Sequence, residues 1–419
     1  MTRWVAPTPD APIVGTVVVP GSKSATARAY VLAALGDGPS TLTGVLDARD
    51  TTLMRAALVS LGVEFTDASD GRVVVRPPAV VTPGAVDCGL AGTLMRFVPP
   101  IAALASGSTP FTGDPEASAR PVAPLLHGLA QVGVRIEPLD SLPFTVHGTG
   151  AVAGGQAVID ASGSSQFVSG LLLSAARFTE GLRLSLTTPA VPSRPHIGLT
   201  LAMLRDRGVD AQMSGPNAWR VAPGPIAARD ETIEPDLVNA AVFLSSALHT
   251  GGQVTMAWPR HTLQASDAIL GTLAALGGIV ERSADTVTVR GTGVITGADL
   301  DLTDASELTC IAASLLALAD RPGSIRGVGH IRGHETDRLA ALATELTSRG
   351  AGVEETPDGL RITPRPLHGG PWGTYADHRM AHAGALLGLA VPGIELDDVG
   401  VTTKTMPAFA DAWSALVGT

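Results

Sequence analysis

The sequence predicts an α/β protein of two domains, each built from three βαβαββ repeats. Two interleaved series of segments carry the prediction. In one, a helix rich in small residues runs into a glycine and then a β-rich stretch. Those glycines recur about every 70 residues, at Gly38, Gly107, Gly181, Gly251, Gly323 and Gly393. In the other, an amphipathic helix ends at a glycine suited to a left-handed C-cap, at Gly62, Gly133, Gly208, Gly277 and Gly350.

The domain boundaries follow from the repeat at the C-terminal end. A sixth amphipathic helix, PAFADAWSALVGT, ends at Gly418 with no strands after it, and the stretch IVGTVVVP, residues 13–20, is expected to supply a strand from the other end. The chain should then begin in one domain, cross near Gly21 and return near Asp236. We therefore predict one domain from residues 1–20 plus 236–419, which holds both termini, and an inserted domain from residues 21–235. A conventional βα array with coincidental spacing is the alternative.

Composition bounds the class of partner. The chain has 419 residues, of which 45% are hydrophobic and 16% charged, with a formal net charge of −10. This balance argues against nucleic acid or an anionic membrane as the main partner. The two cysteines, Cys88 and Cys310, are interpreted as buried apolar side chains in a reducing compartment. Neither a signal-peptide core nor a long apolar run is present, so we expect a cytoplasmic protein.

The lysines are placed unusually. The chain contains 27 arginines but only two lysines, Lys23 and Lys404. General surface solvation therefore explains them poorly. Lysine is a compact point charge whose pKa responds to burial, so it can hold an anion and also transfer a proton. Both are predicted to be functional.

Several helix starts carry cations, although the positive end of the helix dipole disfavours them. Capping explains a Ser or Asp at any one helix start, but it does not explain Lys23, Arg28, Arg96 or Arg379. An anionic ligand would offset these charges. The sequence has no H-E-x-x-H, zinc-spaced cysteine pair, G-x-S-x-G or Rossmann fingerprint. It thus predicts a metal-free cleft between the domains, lined with cations for substrates bearing phosphate and carboxylate groups.

Seven motifs in order carry a family resemblance: PGSKSATAR, LAGTLMRF, TGDPEASARP, SSQFVSGLL, HETDRL, YADHRM and TTKT. Together they closely resemble the 5-enolpyruvylshikimate-3-phosphate synthases, in particular actinobacterial members, over nearly the full chain. The resemblance implies the two-domain enolpyruvyl transferase fold, an inside-out α/β barrel with three βαβαββ repeats in each domain. It also implies domain closure over the substrates.

The reaction implied by the resemblance transfers the enolpyruvyl group of phosphoenolpyruvate to the 5-hydroxyl of shikimate 3-phosphate. It proceeds by addition and elimination through a tetrahedral intermediate and releases phosphate. The family needs no cofactor and no metal. The implied partners are the two small substrates, with no nucleic acid and no membrane, and the chain is expected to be a monomer.

The same resemblance assigns the site residues. It implies catalytic roles in proton transfer for Lys23, Glu307 and Glu335, without dividing the steps among them. The residues implied to bind shikimate 3-phosphate are Lys23, Ser24, Arg28, Ser164, Ser165, Gln166, Ser193, Glu307 and His334. Those implied to bind phosphoenolpyruvate are Lys23, Gly92, Arg120, Gln166, Arg338, Arg379 and Lys404.

The sequence departs from the family pattern at several positions. Ala27 stands where the family usually has Asn, Glu307 replaces a common Asp, and Ala376 replaces the Asn of YNDHR. Two other functions stay open. A UDP-N-acetylglucosamine enolpyruvyl transferase shares the fold and donor, but its usual loop cysteine is missing here. A catalytically silent anion-binding homologue is the second.

Overall fold

The computed structural model describes residues 3–188 and 191–418. The chain forms two compact units. Residues 1–20 and 235–419 form one, called here the terminal unit, and residues 21–234 form the other, the inserted unit. The terminal unit begins with two short strands, β1 (Trp4–Val5) and β2 (Val14–Val17).

The inserted unit alternates helices with short strands. Its helices are α1 (Lys23–Ala34), α2 (Arg49–Ser60), α3 (Gly92–Phe97), α4 (Pro99–Ala102), α5 (Ala123–Gln131), α6 (Ser165–Ser174) and α7 (Pro195–Arg205). Its strands are β3 (Ser40–Thr43), β4 (Glu64–Asp67), β5 (Val73–Arg76), β6 (Val86–Asp87), β7 (Ser106–Thr112), β8 (Arg135–Glu137), β9 (Phe144–Thr149), β10 (Gly155–Ile159), β11 (Leu182–Leu186), β12 (Ala211–Gly215), β13 (Ala218–Val221) and β14 (Glu231–Thr232).

The rest of the terminal unit repeats the pattern. Its helices are α8 (Leu237–Thr250), α9 (Ser266–Ala275), α10 (Thr309–Ala317), α11 (Arg338–Ser348), α12 (His378–Gly388) and α13 (Phe409–Val417). Its strands are β15 (Gln253–Ala257), β16 (Ile279–Arg282), β17 (Thr286–Arg290), β18 (Asp299–Asp301), β19 (Gly323–Arg326), β20 (Gly352–Thr356), β21 (Gly359–Thr363), β22 (Gly370–Trp372) and β23 (Ile394–Leu396).

The described residues form six sheets, three in each unit, on one plan. In the sheet β6-β7-β9-β8, β6 runs parallel to β7, and β7, β9 and β8 are antiparallel neighbours. Four others have the same arrangement: β14-β3-β5-β4, β10-β11-β13-β12, β16-β17-β15-β2 and β18-β19-β21-β20. The sixth, β1-β23-β22, has three strands. This repetition confirms the fold class and the βαβαββ unit.

One prediction about the sixth repeat is wrong. The strand from the N-terminal end that joins it is β1, which pairs antiparallel with β23, whereas the segment 13–20 contributes β2 to a different sheet. There β2 lies parallel to β15, with Val14 opposite Gln253. β2 occupies the edge position parallel to its neighbour, as β6, β10, β14 and β18 do in their sheets. Alternation of apolar residues marks a strand but does not name its partner, so the sequence left this choice undetermined.

The two kinds of helix differ in burial. All eleven residues of α12 are buried, and close packing at its small residues leaves little room for larger side chains. A Cβ on Gly384, for example, would lie 2.8 Å from Trp372. By contrast, α11 buries one face only. Each unit has its own apolar core, and both cysteines are free and buried within those cores, which confirms that they are buried apolar side chains.

The predicted glycine caps have the required backbone geometry. The φ angles are positive at Gly62 (96°), Gly133 (94°), Gly208 (78°), Gly277 (97°) and Gly350 (111°). A side chain would be strained there, whereas glycine is not. Over residues 3–188 and 191–418, none of the helices combines the length and apolarity required to cross a membrane.

Candidate active site

Lys23 is the first residue of α1. Ser22 caps this helix through its side chain, which accepts a hydrogen bond from the Ala25 backbone N–H. The Lys23 Nζ lies 3.4 Å from Oδ2 of Asp50, whose side chain is 2% exposed on α2, while 19% of the Lys23 side chain stays exposed. The contact holds the ammonium group near the start of α1 and leaves part of it accessible to a ligand.

Arg28 connects three helices of the inserted unit. Its Nε donates to Thr200 Oγ1 at 2.8 Å, and Nη2 donates to Ser169 Oγ (3.2 Å) and to the His196 carbonyl (3.1 Å). Nη1 donates to the Ser24 carbonyl at 3.0 Å. All four partners are uncharged, and burial lowers the pKa of Arg28 to about 9. A buried cation held by neutral groups favours an anion nearby.

The starts of α6 and α7 present hydroxyl and amide groups. Ser164 caps α6 by accepting from the Gln166 backbone N–H at 3.2 Å, and Ser165 is buried in its first turn. The Gln166 Oε1 atom is buried without a hydrogen-bond partner among the described residues. Ser193, two residues before α7, has a φ of +50° and is 6% exposed. A ligand with donor groups would satisfy the Gln166 oxygen.

Two arginines converge on Gly92 at the start of α3. A Cβ at this position would lie 2.6 Å from Arg120 Nη2 and 2.7 Å from Arg96 Nη1. Arg120 Nη1 donates to the Leu90 carbonyl at 2.8 Å, and its Nε is buried without a partner in the described part of the chain. A side chain at this position would therefore force at least one of the two guanidinium groups to move.

In the terminal unit, Glu335 joins two of the predicted cations. Its Oε2 accepts from Arg338 Nη2 at 2.9 Å, and its Oε1 accepts from Lys404 Nζ. Arg338 also donates through Nη1 to His334 Nδ1 at 3.1 Å. The side chains of Arg338 and Lys404 are each 4% exposed, so these charges are almost fully removed from solvent.

Asp377 anchors both arginines of this cluster. Its carboxylate accepts from Arg338 Nε (2.7 Å) and Nη2 (3.1 Å), and from the Arg379 backbone N–H (2.8 Å) as the N-cap of α12. Burial alone would lower the pKa of Arg338, but Asp377 and Glu335 outweigh it and hold the pKa above its ordinary value. Asp377 is itself completely buried.

Arg379 and Glu307 lie in the same region of the terminal unit. Arg379 Nη1 donates to Asn239 Oδ1 at 3.4 Å, and burial lowers the pKa of Arg379, partly opposed by Asp236 and Glu307. Burial likewise lowers the pKa of His330, although the Glu307 carboxylate acts to raise it. Glu307 belongs to a short 3₁₀ helix, Ser306–Leu308.

The backbone before α12 is strained. Tyr375 and Ala376 have φ angles of +53° and +54°, in the left-handed region that non-glycine residues rarely adopt. The strain immediately precedes Asp377 and Arg379. Asn tolerates this conformation better than Ala, so the departure at Ala376 has a conformational cost.

The predicted site residues therefore form a group in each unit. Lys23, Ser24, Arg28, Gly92, Arg120, Ser164, Ser165, Gln166 and Ser193 belong to the inserted unit, and Glu307, His334, Glu335, Arg338, Arg379 and Lys404 belong to the terminal unit.

Sequence reasoning missed Asp50 and Asp377, the carboxylates that hold Lys23 and Arg338. The role of Asp377 could have been predicted, because it directly precedes two basic residues at a helix start. No feature of the sequence around Asp50 indicates its contact with Lys23. In residues 3–188 and 191–418, no group of three His, Cys, Asp or Glu side chains is arranged to hold a metal ion.

The two units, each with three sheets on one plan, have the enolpyruvyl transferase fold. The model of one family, EPSP synthase (3-phosphoshikimate 1-carboxyvinyltransferase), matches residues 7–413. The chain belongs to this family. Its reaction transfers the enolpyruvyl group of phosphoenolpyruvate to shikimate 3-phosphate.

Solved structures have the same fold. An EPSP synthase from Acinetobacter baumannii superposes with a TM-score of 0.82 at 23% identity, over 99% of this chain and 98% of that one. A second structure of EPSP synthase from that organism gives 0.80 at 22% identity, with the same coverage. The enolpyruvyl transferase NikO from Streptomyces tendae gives 0.76 at 18% identity, over 98% of this chain and 96% of that one.

Proposed function

We propose that this chain carries out the EPSP synthase reaction by addition and elimination, using the residues of both clusters on one pair of substrates. The observation that carries the proposal is the pattern of buried cations. Arg28 has only neutral hydrogen-bond partners, Arg120 retains a buried unpartnered Nε, and Gln166 retains a buried unpartnered oxygen within the described residues. Such groups are costly unless a ligand satisfies them.

In the inserted unit, Ser24, Arg28, Ser164, Ser165 and Ser193 are proposed to bind shikimate 3-phosphate. Hydroxyls at helix starts and a buried guanidinium suit a phosphate dianion. Gly92 and Arg120 are proposed to bind phosphoenolpyruvate, with Lys23 and Gln166 reaching both substrates. A side chain on Gly92 would displace Arg120, so glycine at this position keeps Arg120 where it is proposed to meet the donor.

In the terminal unit, Arg338, Arg379 and Lys404 are proposed to hold the carboxylate and phosphate of phosphoenolpyruvate, and His334 to contact shikimate 3-phosphate. Glu335, held by Arg338 and Lys404, is proposed to transfer a proton at C3 of the donor. Glu307 is proposed to accept the proton of the attacking hydroxyl. Lys23 could take either proton step.

The proposed reaction has an addition step and an elimination step. The 5-hydroxyl oxygen bonds to C2 of phosphoenolpyruvate and loses its proton to a base, while C3 gains a proton from an acid. The resulting tetrahedral intermediate then loses a proton from C3 as the C2–O bond to phosphate breaks, which restores the double bond. The clustered cations stabilise the departing phosphate and the carboxylate throughout. We further propose a cytoplasmic monomer.

The test is phosphate release from purified chain supplied with phosphoenolpyruvate and either shikimate 3-phosphate or UDP-N-acetylglucosamine. Phosphate release with phosphoenolpyruvate plus shikimate 3-phosphate, and none with phosphoenolpyruvate plus UDP-N-acetylglucosamine, supports the proposal. Release only with UDP-N-acetylglucosamine would support the UDP-N-acetylglucosamine enolpyruvyl transferase. Binding of phosphoenolpyruvate and shikimate 3-phosphate without release would support a catalytically silent anion-binding protein. Omission of either substrate should abolish the signal.

Lys23→Met is the matching variant. We expect kcat to fall by about 10²–10³-fold because the ammonium can no longer balance charge or move a proton. The variant should remain folded, because Arg49 Nη2 lies 3.4 Å from Asp50 Oδ1 and keeps this buried carboxylate paired. Arg72→Met is the control, because Arg72 pairs with Asp70 on the surface of the same unit. Wild-type turnover in the Lys23 variant would contradict the proposed role.

A further inference from the structure

Arg96 is a buried cation that the proposed substrate contacts do not use. It lies on α3, is 3% exposed, and turns its guanidinium back toward the start of that helix. Nη1 donates to the Gly92 carbonyl at 3.0 Å, and Nη2 donates to the Pro121 carbonyl. One side chain thus connects two main-chain oxygens that are far apart in sequence.

The two carbonyls belong to the segments proposed to hold phosphoenolpyruvate. Gly92 is itself a proposed contact, and Pro121 directly follows Arg120. Arg120 in turn donates to the Leu90 carbonyl at 2.8 Å, which returns to the segment before α3. Each arginine therefore connects the start of α3 with the Arg120–Pro121 turn, from opposite directions.

The geometry at Gly92 shows how closely the three groups fit. The position of an added Cβ is 2.7 Å from Arg96 Nη1 and 2.6 Å from Arg120 Nη2. The Phe167 ring lies 5.6 Å from the Arg96 guanidinium carbon, and Phe167 follows Gln166, another proposed contact. A shift of Arg96 would therefore be transmitted to Gly92 and Arg120.

We propose that Arg96 is a positioning residue for phosphoenolpyruvate. Its planar fork sets the separation of Gly92 and Arg120 and so fixes the place where the donor's carboxylate and phosphate bind. Lysine would keep the charge but could not span both carbonyls with one rigid group. This inference rests on the proposed function, because it assigns Gly92 and Arg120 to the donor.

The experiment compares Arg96→Lys and Arg96→Met with the wild type in steady-state kinetics with both substrates varied. For Arg96→Lys we expect KM for phosphoenolpyruvate to rise about tenfold, from loss of one charge-assisted hydrogen bond, with KM for shikimate 3-phosphate within about twofold. Arg96→Met should raise KM for phosphoenolpyruvate further, because methionine keeps neither the charge nor the hydrogen bonds. The smaller rise in Arg96→Lys would then show partial rescue by the conservative substitution. Titration of phosphoenolpyruvate into the wild type and the variants in the absence of shikimate 3-phosphate gives the ratio of dissociation constants without turnover.

Arg207→Lys is the matched control. Arg207 is 1% exposed in the same unit and donates to the Ala227 carbonyl (3.4 Å) and Ser40, near Glu231. The Arg207→Lys variant should have a lower thermal stability than the wild type but the same KM for each substrate. A purely structural Arg96 would behave in the same way, with lower stability and no preference between substrates.

The outcomes separate the two proposals. An active wild type with an unchanged phosphoenolpyruvate KM in Arg96→Lys, or with both KM values raised equally, overturns the positioning role and leaves the proposed function intact. A wild type that neither turns over nor binds phosphoenolpyruvate overturns both. If the wild type binds without turnover, the ratio of dissociation constants for Arg96→Lys and wild type decides the positioning role.

Discussion

At the scale of single residues, Gly92 is the position where packing constrains chemistry most directly. Gly92→Ala would place a methyl group within 2.8 Å of three guanidinium nitrogens, so Arg120 must move. We expect KM for phosphoenolpyruvate to rise about tenfold, as for loss of a charge-assisted contact. Gly271→Ala on α9 is the control, because the described residues leave open space around that Cβ. Equal KM values for the two variants would contradict this account.

Ala376 supplies a second residue-scale prediction, in stability. Its φ of +54° costs an alanine roughly 1 kcal/mol that a glycine avoids. Ala376→Gly should therefore raise the free energy of unfolding by up to about 1 kcal/mol, measured in urea. Ala343→Gly, within α11, should lower it by a similar amount because the helix disfavours glycine. A loss of stability in both variants would show that residue 376 is not strained.

At the scale of elements, α11 and α12 are connected through Asp377. Asp377→Asn preserves the N-cap of α12, since Asn caps as well as Asp, but it removes the charge opposite Arg338. Breaking a buried pair should cost about 3 kcal/mol or more of unfolding free energy. Asp337→Asn is the control: it caps α11 but pairs with Arg332 near the surface, so it should cost under about 1 kcal/mol. Similar losses in urea for both variants would refute the anchoring role.

At the scale of the whole molecule, each unit contains one buried thiol. Burial raises the pKa of Cys88 and of Cys310 from 9.0 to about 12. Above about pH 9 the unfolded chain therefore binds fewer protons than the folded one, and the free energy of unfolding falls as pH rises. The expected slope is about 1.4 kcal/mol per pH unit for each thiol.

The measurement compares unfolding of wild type with the Cys88→Ala, Cys310→Ala and double variants from pH 8 to 10.5. The single variants should each remove part of the decline, and the double variant should be flattest. Thiol labelling with mass spectrometry at pH 8 adds a second readout, because native chain should react slowly at both positions. Identical pH profiles for wild type and double variant would contradict the shifted pKa values.

The sequence alone determined the repeat plan and much of the candidate site's composition. The glycines that end the amphipathic helices are a local signal, because the backbone there has a positive φ that glycine adopts without strain. The two helix types are likewise distinguished locally, by their composition and apolar periodicity. The cations at helix starts pointed to an anionic ligand, because they conflict with the positive end of the helix dipole. The rarity of lysine singled out Lys23 and Lys404 within that set of cations. Partner choice between strands is not local, so β1 and β2 were not distinguished.

Only the tertiary structure decided which charges neutralise which. Lys23 and Asp50, Arg338 and Asp377, and Arg96 and Pro121 are pairs whose members lie more than 20 residues apart in the chain. Their contacts depend on how separate helices and loops pack, and a pattern of residue types does not encode those distances. Coulomb and hydrogen-bond energies vary steeply over a few ångströms, so composition can predict the presence of an anion site but not the groups that shape it.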